Sequence, residues 1–262
     1  MLVFGAVAPA TPLLLSTIGG EHTKELVSTR YAVERLADEL FVSRPDVLVL
    51  LSGSPGPIPN IFSANLCDAY RTDLSEFGDL TAYPPRHPEC RFVDALQRWM
   101  RRKSELPFNL FSESLLDERT AVSALLLAPS IPLPIVPLLL GDASPKSVFE
   151  FGRALKEVCS VFPRRIAVCV SGDLSHRLSV EAPGGFHEAG PRFDAAVREA
   201  IRSSSPSSLL RLDEEDVQQA SPLGYRPLLA LFGILEGTGA VPEELSYEAS
   251  YGVGHLVAQF TL

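Results

Sequence analysis

The segment SGDLSH, residues 171–176, sets a carboxylate and an imidazole three positions apart, Asp173 and His176. Near the other end, SYEASYGVGH carries Glu248 and His255 around two glycines. An imidazole titrates near neutrality and can take or give a proton; a carboxylate can orient it or share a cation with it. Acid–base work and metal ligation are the chemistries these residue types offer. Each residue also has a plainer role open to it: Asp173 as the cap of a turn, His176 as a hydrogen-bonded structural histidine, Glu248 as a strand-end carboxylate facing water. His255 enters a final strand and reads as a packing or capping residue. The other histidines, His22, His87 and His187, fall in loops or helix starts, His187 among glycines.

These groups need a scaffold to bring them together. Residues 166–170 form an unbroken apolar run before SGDLSH, the mark of a strand buried on both faces. Ligand sites in open α/β sheets gather beyond such strand ends. Residues 2–8 read as a first strand, ending at Pro9-Ala10-Thr11-Pro12. A helix is expected over 21–41 and a second buried strand over 46–51, together a βαβ unit. The loop Ser52-Gly53-Ser54-Pro55-Gly56-Pro57 has the composition of an anion cradle but neither GxGxxG nor GK[ST]. A short strand is expected over 61–66, irregular chain over 71–89, a helix over 92–100, a helical or mixed segment over 115–127 and a strand over 135–139. Ser144-Pro145 opens the next helix as cap and first residue. A loop over 179–191 precedes a helix over 193–201. Residues 206–210 begin another behind Ser205, and an apolar helix over 225–236 stops at Gly237 and Gly239. The pattern gives an α/β fold with a central, mostly parallel sheet and helices on both faces, in a single domain over 1–262. Its expected core includes Val3, Phe4, Val47, Val49, Leu51, Ile135, Val168, Val170 and Leu256.

Composition narrows the function classes. The 262 residues are 46% apolar and 21% charged, enough for a substantial core. The formal charge of −9 is offset by no basic patch with interleaved aromatics, so no nucleic-acid partner is expected. The run Asp213-Glu214-Glu215-Asp216 reads as a solvated face or loop rather than a metal site. Cys67, Cys90, Cys159 and Cys169 lack CxxC spacing, which fits reduced packing cysteines in a cytoplasmic protein. The N-terminus lacks the basic region of a secretory signal. Residues 121–140 are very apolar, but Pro129, Pro132, Pro134 and Pro137 argue against a spanning helix. A soluble protein without a membrane partner is expected.

Taken together, MLVFGAVAPATPLLL, DVLVLLSGSPGP, AVCVSGDLSHRL, GPRFDAAV and LSYEASYGVGHLVA resemble the class III (LigB-like) extradiol ring-cleavage dioxygenases. The similarity touches both ends and most strands. The resemblance implies a LigB-like fold. Active members open a catechol-like ring with O₂ and non-haem Fe(II), held by two histidines and a carboxylate. In that family one histidine lies in a PHPP motif after the first strand, the second in an SPHGP motif after the second strand. The carboxylate comes from the terminal YE segment, and a further histidine in DLSH serves as acid and base toward the substrate.

Carried onto this chain, His176 takes the acid/base position and Glu248 the carboxylate position, with Asp173 beside them. Ala10 stands where the first metal histidine belongs, in PATP, and Pro55 where the second belongs, in GSPGP. A mid-chain DHG-like segment finds its best match in Asp117-Glu118-Arg119, without the histidine. Alanine has no side-chain donor and proline only a backbone carbonyl. No resident cofactor is therefore expected; Fe(II) belongs to the resembling family. Ala10, Pro55, His176 and Glu248 are expected around one cavity. Three functions remain open. One is a non-catalytic homologue or accessory subunit, paired with a metal-competent dioxygenase paralogue as in aminophenol-cleaving relatives, or self-associating as a homo-oligomer. Another is an active Fe(II) extradiol dioxygenase of unusual ligands, acting on a catechol or aminophenol. The last is a metal-independent enzyme or binding protein that takes an aromatic small molecule in the old cavity.

Overall fold

Four parallel strands form the middle of one sheet, and they are apolar at nearly every position because helices cover both of its faces. These are β1 (Leu2–Ala8), β2 (Val47–Ser52), β5 (Ile135–Leu139) and β6 (Ile166–Ser171). The computed structural model describes residues 1–129 and 132–262. Around the central four lie β3 (Phe62–Asn65), β4 (Phe108–Phe111), β7 (Val241–Glu248) and β8 (His255–Thr261), in the order β4-β3-β5-β2-β6-β1-β8-β7. The β3–β5, β1–β8 and β7–β8 pairs are antiparallel, so the sheet is mixed toward its edges.

The helices are α1 (Ser16–Gly19), α2 (Val27–Val42), α3 (Cys90–Lys103), α4 (Glu118–Leu127), α5 (Pro145–Val161), α6 (Ala189–Arg202), α7 (Glu214–Ala220) and α8 (Tyr225–Leu235). Alternate strand residues feed two cores. Val47, Val49, Leu51, Val168 and Val170 pack under α3, α5, α6 and α8. Phe4, Ala6, Leu48, Leu50 and Cys169 pack under α2 and α4. On the first face the Phe62 and Phe151 rings stack at 4.3 Å. Helix α8 is buried almost all round and lies against α5 so closely that both helices carry glycine at the crossing. A Cβ on Gly152 would sit 2.1 Å from the Ala230 carbonyl oxygen, and one on Gly233 2.2 Å from that of Phe149.

Several boundaries differ from the sequence reading, for local reasons. The helix expected over 21–41 is two elements: a 3₁₀ turn, Gly20–Glu25, and α2 after a break at Leu26 (φ −122°). The loop expected over 179–191 ends early, because α6 starts at Ala189 and Pro191 occupies its first turn. Amides there have no intrahelical partner, so the ring costs no hydrogen bond. The helix expected over 206–210 is a 3₁₀ turn, Leu209–Arg211. The acidic run caps and opens α7: Asp213 accepts from the Glu215 amide, and Glu214, Glu215 and Asp216 occupy the first turn, where the helix dipole favours them. Strand β4 has no counterpart in the sequence reading, and β7 only its end at Glu248. Val3 is partly buried and packs on the second core, while the other named core residues are buried. The four cysteines are free thiols, Cys159 and Cys169 buried and Cys90 exposed. Among the described residues no helix is long and apolar enough to cross a membrane.

Candidate functional site

Strands β1, β2 and β6 end level with one another: Ala8 pairs with Ser171, and Ser52 pairs with Ser171 on the other side. Three loops therefore leave the same sheet edge together, the place where α/β folds build their sites. A cavity of about 340 Å³ opens there. Ala10 and Thr11 line it from the loop after β1, Asp173 and His176 from the loop after β6, Glu118 and Arg119 from the start of α4, and His255 from the start of β8. Leu13, Leu223 and Val253 supply apolar wall.

The loop after β6 is held at many points. The Leu174 amide donates to the Gly254 carbonyl and the Gly254 amide to the Ser175 carbonyl, at 2.8 and 2.9 Å. Ser175 Oγ and the His176 amide both donate to the Ala220 carbonyl. The Asp173 carbonyl accepts from the Leu223 and Gly224 amides. Buried Asp194 of α6 takes the Ser175 amide at 2.9 Å and the Tyr247 hydroxyl of β7 at 2.8 Å. A Cβ on Gly254 would lie 2.0 Å from Asp194 Oδ2, so this position needs glycine to admit the carboxylate. Burial pushes the Asp194 carboxyl up to about 6, against the lowering effect of its two hydrogen bonds, His255 and Arg198.

Asp173 and His255 form a buried pair, Nδ1 to Oδ1 at 3.0 Å, with 6% and 2% of their surfaces exposed. The carboxylate orients the ring by accepting a hydrogen bond from Nδ1. His176 is half-buried, with Nδ1 3.1 Å from the Leu174 carbonyl. Burial pulls its pKa below the usual value; Asp173 and the Leu174 and Ser221 carbonyls oppose the change, and His255 adds to it. The ring is thus held neutral near pH 7. Burial likewise raises the Glu118 carboxyl, with Arg119 opposing and Asp173 and Asp117 reinforcing the shift.

The start of α4 is tied to the loop after β2. Asp117 caps the helix through the Thr120 amide, and its Oδ1 lies 2.8 Å from Ser54 Oγ and 3.2 Å from Ser52 Oγ. Arg119 Nη1 donates to Ser54 Oγ at 2.8 Å, and the Arg119 carbonyl takes the Ser171 hydroxyl at 2.8 Å.

Of the four positions expected around one cavity, Ala10 and His176 line it, with Asp173 between strand and histidine. Pro55 lines a neighbouring cavity of about 380 Å³ with Gly56, Asn65 and Asp117. Glu248 pairs across β7–β8 with His255, but its carboxylate turns to the start of α2. There it accepts from the Thr29 amide at 2.8 Å, the Thr29 hydroxyl at 2.6 Å and the Ser28 amide at 3.3 Å. Helix α2 has no side-chain cap of its own, and Glu248 supplies one from across the chain. Burial tends to raise the Glu248 carboxyl, but these hydrogen bonds outweigh it and hold the pKa below its usual value. His255, assigned to packing from its sequence context, sits in the cavity wall; no local signal marks its pairing with Asp173. Glu118 and Arg119 had a signal, the weak match of Asp117-Glu118-Arg119 to a mid-chain family segment.

The family's iron does not fit these residues. Ala10 brings no donor, Pro55 faces elsewhere, and the Glu248 oxygens are engaged by α2. Among the described residues no group of three or more His, Cys, Asp or Glu side chains is placed to hold a metal ion.

Comparison with known proteins locates the fold. Residues 121–261 match the family model described as the catalytic LigB subunit of aromatic ring-opening dioxygenase. A curated protein of Clostridium acetobutylicum is 23% identical over 261 aligned positions, covering 94% of this chain and 55% of that protein. The chain thus spans about half the length of that relative. The crystal structure of an uncharacterized protein of Escherichia coli K12 superposes with a TM-score of 0.69 at 17% identity, covering 99% of this chain and 100% of the other.

Proposed function

The chain belongs to the LigB family of aromatic ring-opening dioxygenase subunits, and from that premise we propose that it is a single-domain homologue that has given up iron-dependent ring cleavage and kept the cavity for a small molecule. The observation that carries this reading is the fate of the three ligand positions: Ala10 without a donor, Pro55 in another cavity, and Glu248 spent on the cap of α2. A ferrous site needs three anchored donors with open positions beside them. The cavity itself is supported and carries polar groups among apolar walls, with His176 and the Asp173–His255 pair on one side. In this reading His176 and Asp173 are the residues that meet the ligand, and Glu248 positions α2 rather than reacting.

An accessory role beside a metal-competent paralogue, or in a homo-oligomer, is the second reading. It draws support from Tyr31, Phe41 and Val42 of α2, which are large, apolar and exposed. The first reading is tested by anaerobic Fe(II) titration of the chain, followed by oxygen uptake with catechol and 2-aminophenol. The expected outcome is no saturable iron and no uptake. Near-stoichiometric tight iron, lost on Glu248→Ala, would sink it.

A further inference from the structure

Arg119 is a half-buried cation on the cavity wall whose guanidinium makes one hydrogen bond, to the Ser54 hydroxyl. Among the described residues no carboxylate lies within ion-pair distance of it; neighbouring Asp117 reaches it through Ser54 alone. Its other N–H donors have no protein acceptor among the described residues and stay open to solvent or a ligand. On the same wall stands Ala10, the position from which the family's first metal histidine is missing. Resting on the reading that the cavity is retained without iron, we propose that it takes a small organic carboxylate, anchored by the Arg119 guanidinium.

The chemistry favours a carboxylate over a phosphate. One guanidinium presents a planar fork that matches a carboxylate in bidentate fashion. Phosphate sites draw on free helix-terminal amides or several cations, and here the start of α4 is already capped by Asp117. Asp173 and Glu118 stand nearby and disfavour a dianion. The walls supply the rest of the recognition. Pro12, Leu13, Leu223 and Val253 suit a flat apolar body, and about 340 Å³ admits a single ring. No diol is required, because no metal is needed to chelate one.

The test is calorimetric titration of the full chain with benzoate, and with benzyl alcohol as the uncharged counterpart. Wild type, Arg119→Gln and Arg119→Lys are compared, each first shown folded by its thermal melt. Wild type is expected to bind benzoate, and Arg119→Gln to weaken it by roughly tenfold or more. Arg119→Lys, which keeps the charge without the fork, should fall between them, and benzyl alcohol should bind far more weakly than benzoate. Should Arg119→Gln not fold, the Lys variant decides: unchanged affinity overturns the proposal. Equal binding of benzoate and benzyl alcohol, or full benzoate affinity in Arg119→Gln, overturns the carboxylate inference and leaves the retained cavity standing. Absence of benzoate binding in wild type overturns it too. Tight iron in the Fe(II) titration instead defeats the reading on which it rests.

Discussion

Asp194→Asn probes the group that ties the site's loop to the terminal strands. In the folded chain Asp194 is 2% exposed, and burial raises its carboxyl from an ordinary 3.8 to about 6. Its raised pKa means that the folded state holds a proton the unfolded chain has already lost. The associated stability is fully present below 3.8 and is lost as pH rises through about 6. At roughly 1.4 kcal/mol per pH unit, that gap corresponds to about 3 kcal/mol. Asparagine keeps the shape and an oxygen for the Ser175 amide, while its NH₂ obliges the Tyr247 hydroxyl to turn and accept. A protonated Asp194 makes the same demand of Tyr247, so the variant resembles wild type at low pH. Urea denaturation of both proteins between about pH 4 and pH 7 isolates the effect, because the other titrating groups cancel in the difference. The variant should gain on wild type by about 2.5 kcal/mol across that range, beginning near equal and ending more stable. Parallel profiles would show that Asp194 is not held protonated by burial, and would refute the reasoning.

Two further outcomes follow from single contacts. Glu248→Ala removes the only side-chain cap seen on α2 among the described residues and should cost about 1–2 kcal/mol by thermal or urea melt; because the native pKa is depressed, the wild-type contribution is present above 4.5 and should fade as pH falls through the lower folded value. Gly233→Ala drives a methyl to 2.2 Å from the Phe149 carbonyl oxygen, so α5 and α8 must separate; a loss of about 1–3 kcal/mol is expected in the same melts, and an unchanged midpoint would show that the crossing is looser than described.

Some features were legible locally. The central strands announce themselves as apolar runs because a strand covered on both faces has no polar side to show. Ser144 and Pro145 mark the start of α5 because a cap and a missing amide are properties of adjacent residues. The SGDLSH segment could be placed beyond a strand end for the same reason, as a change of composition within ten residues. Edge strands β4 and β7 gave no such sign: β4 is half-buried throughout, and β7 is partly exposed with no regular alternation.

The site was decided at longer range. Asp173 meets His255 across 82 positions, Arg119 meets Ser54 across 65, and Glu248 meets Thr29 across 219. The sequence placed a carboxylate and histidines near strand ends, and its resemblance to the family assigned Ala10 and Pro55 to two metal positions. It could not determine that the Glu248 carboxylate caps a helix or that Pro55 faces another cavity. A side chain's partner depends on which direction each loop takes after leaving the sheet, and that direction is set by hydrogen bonds to distant segments rather than by its neighbours in sequence.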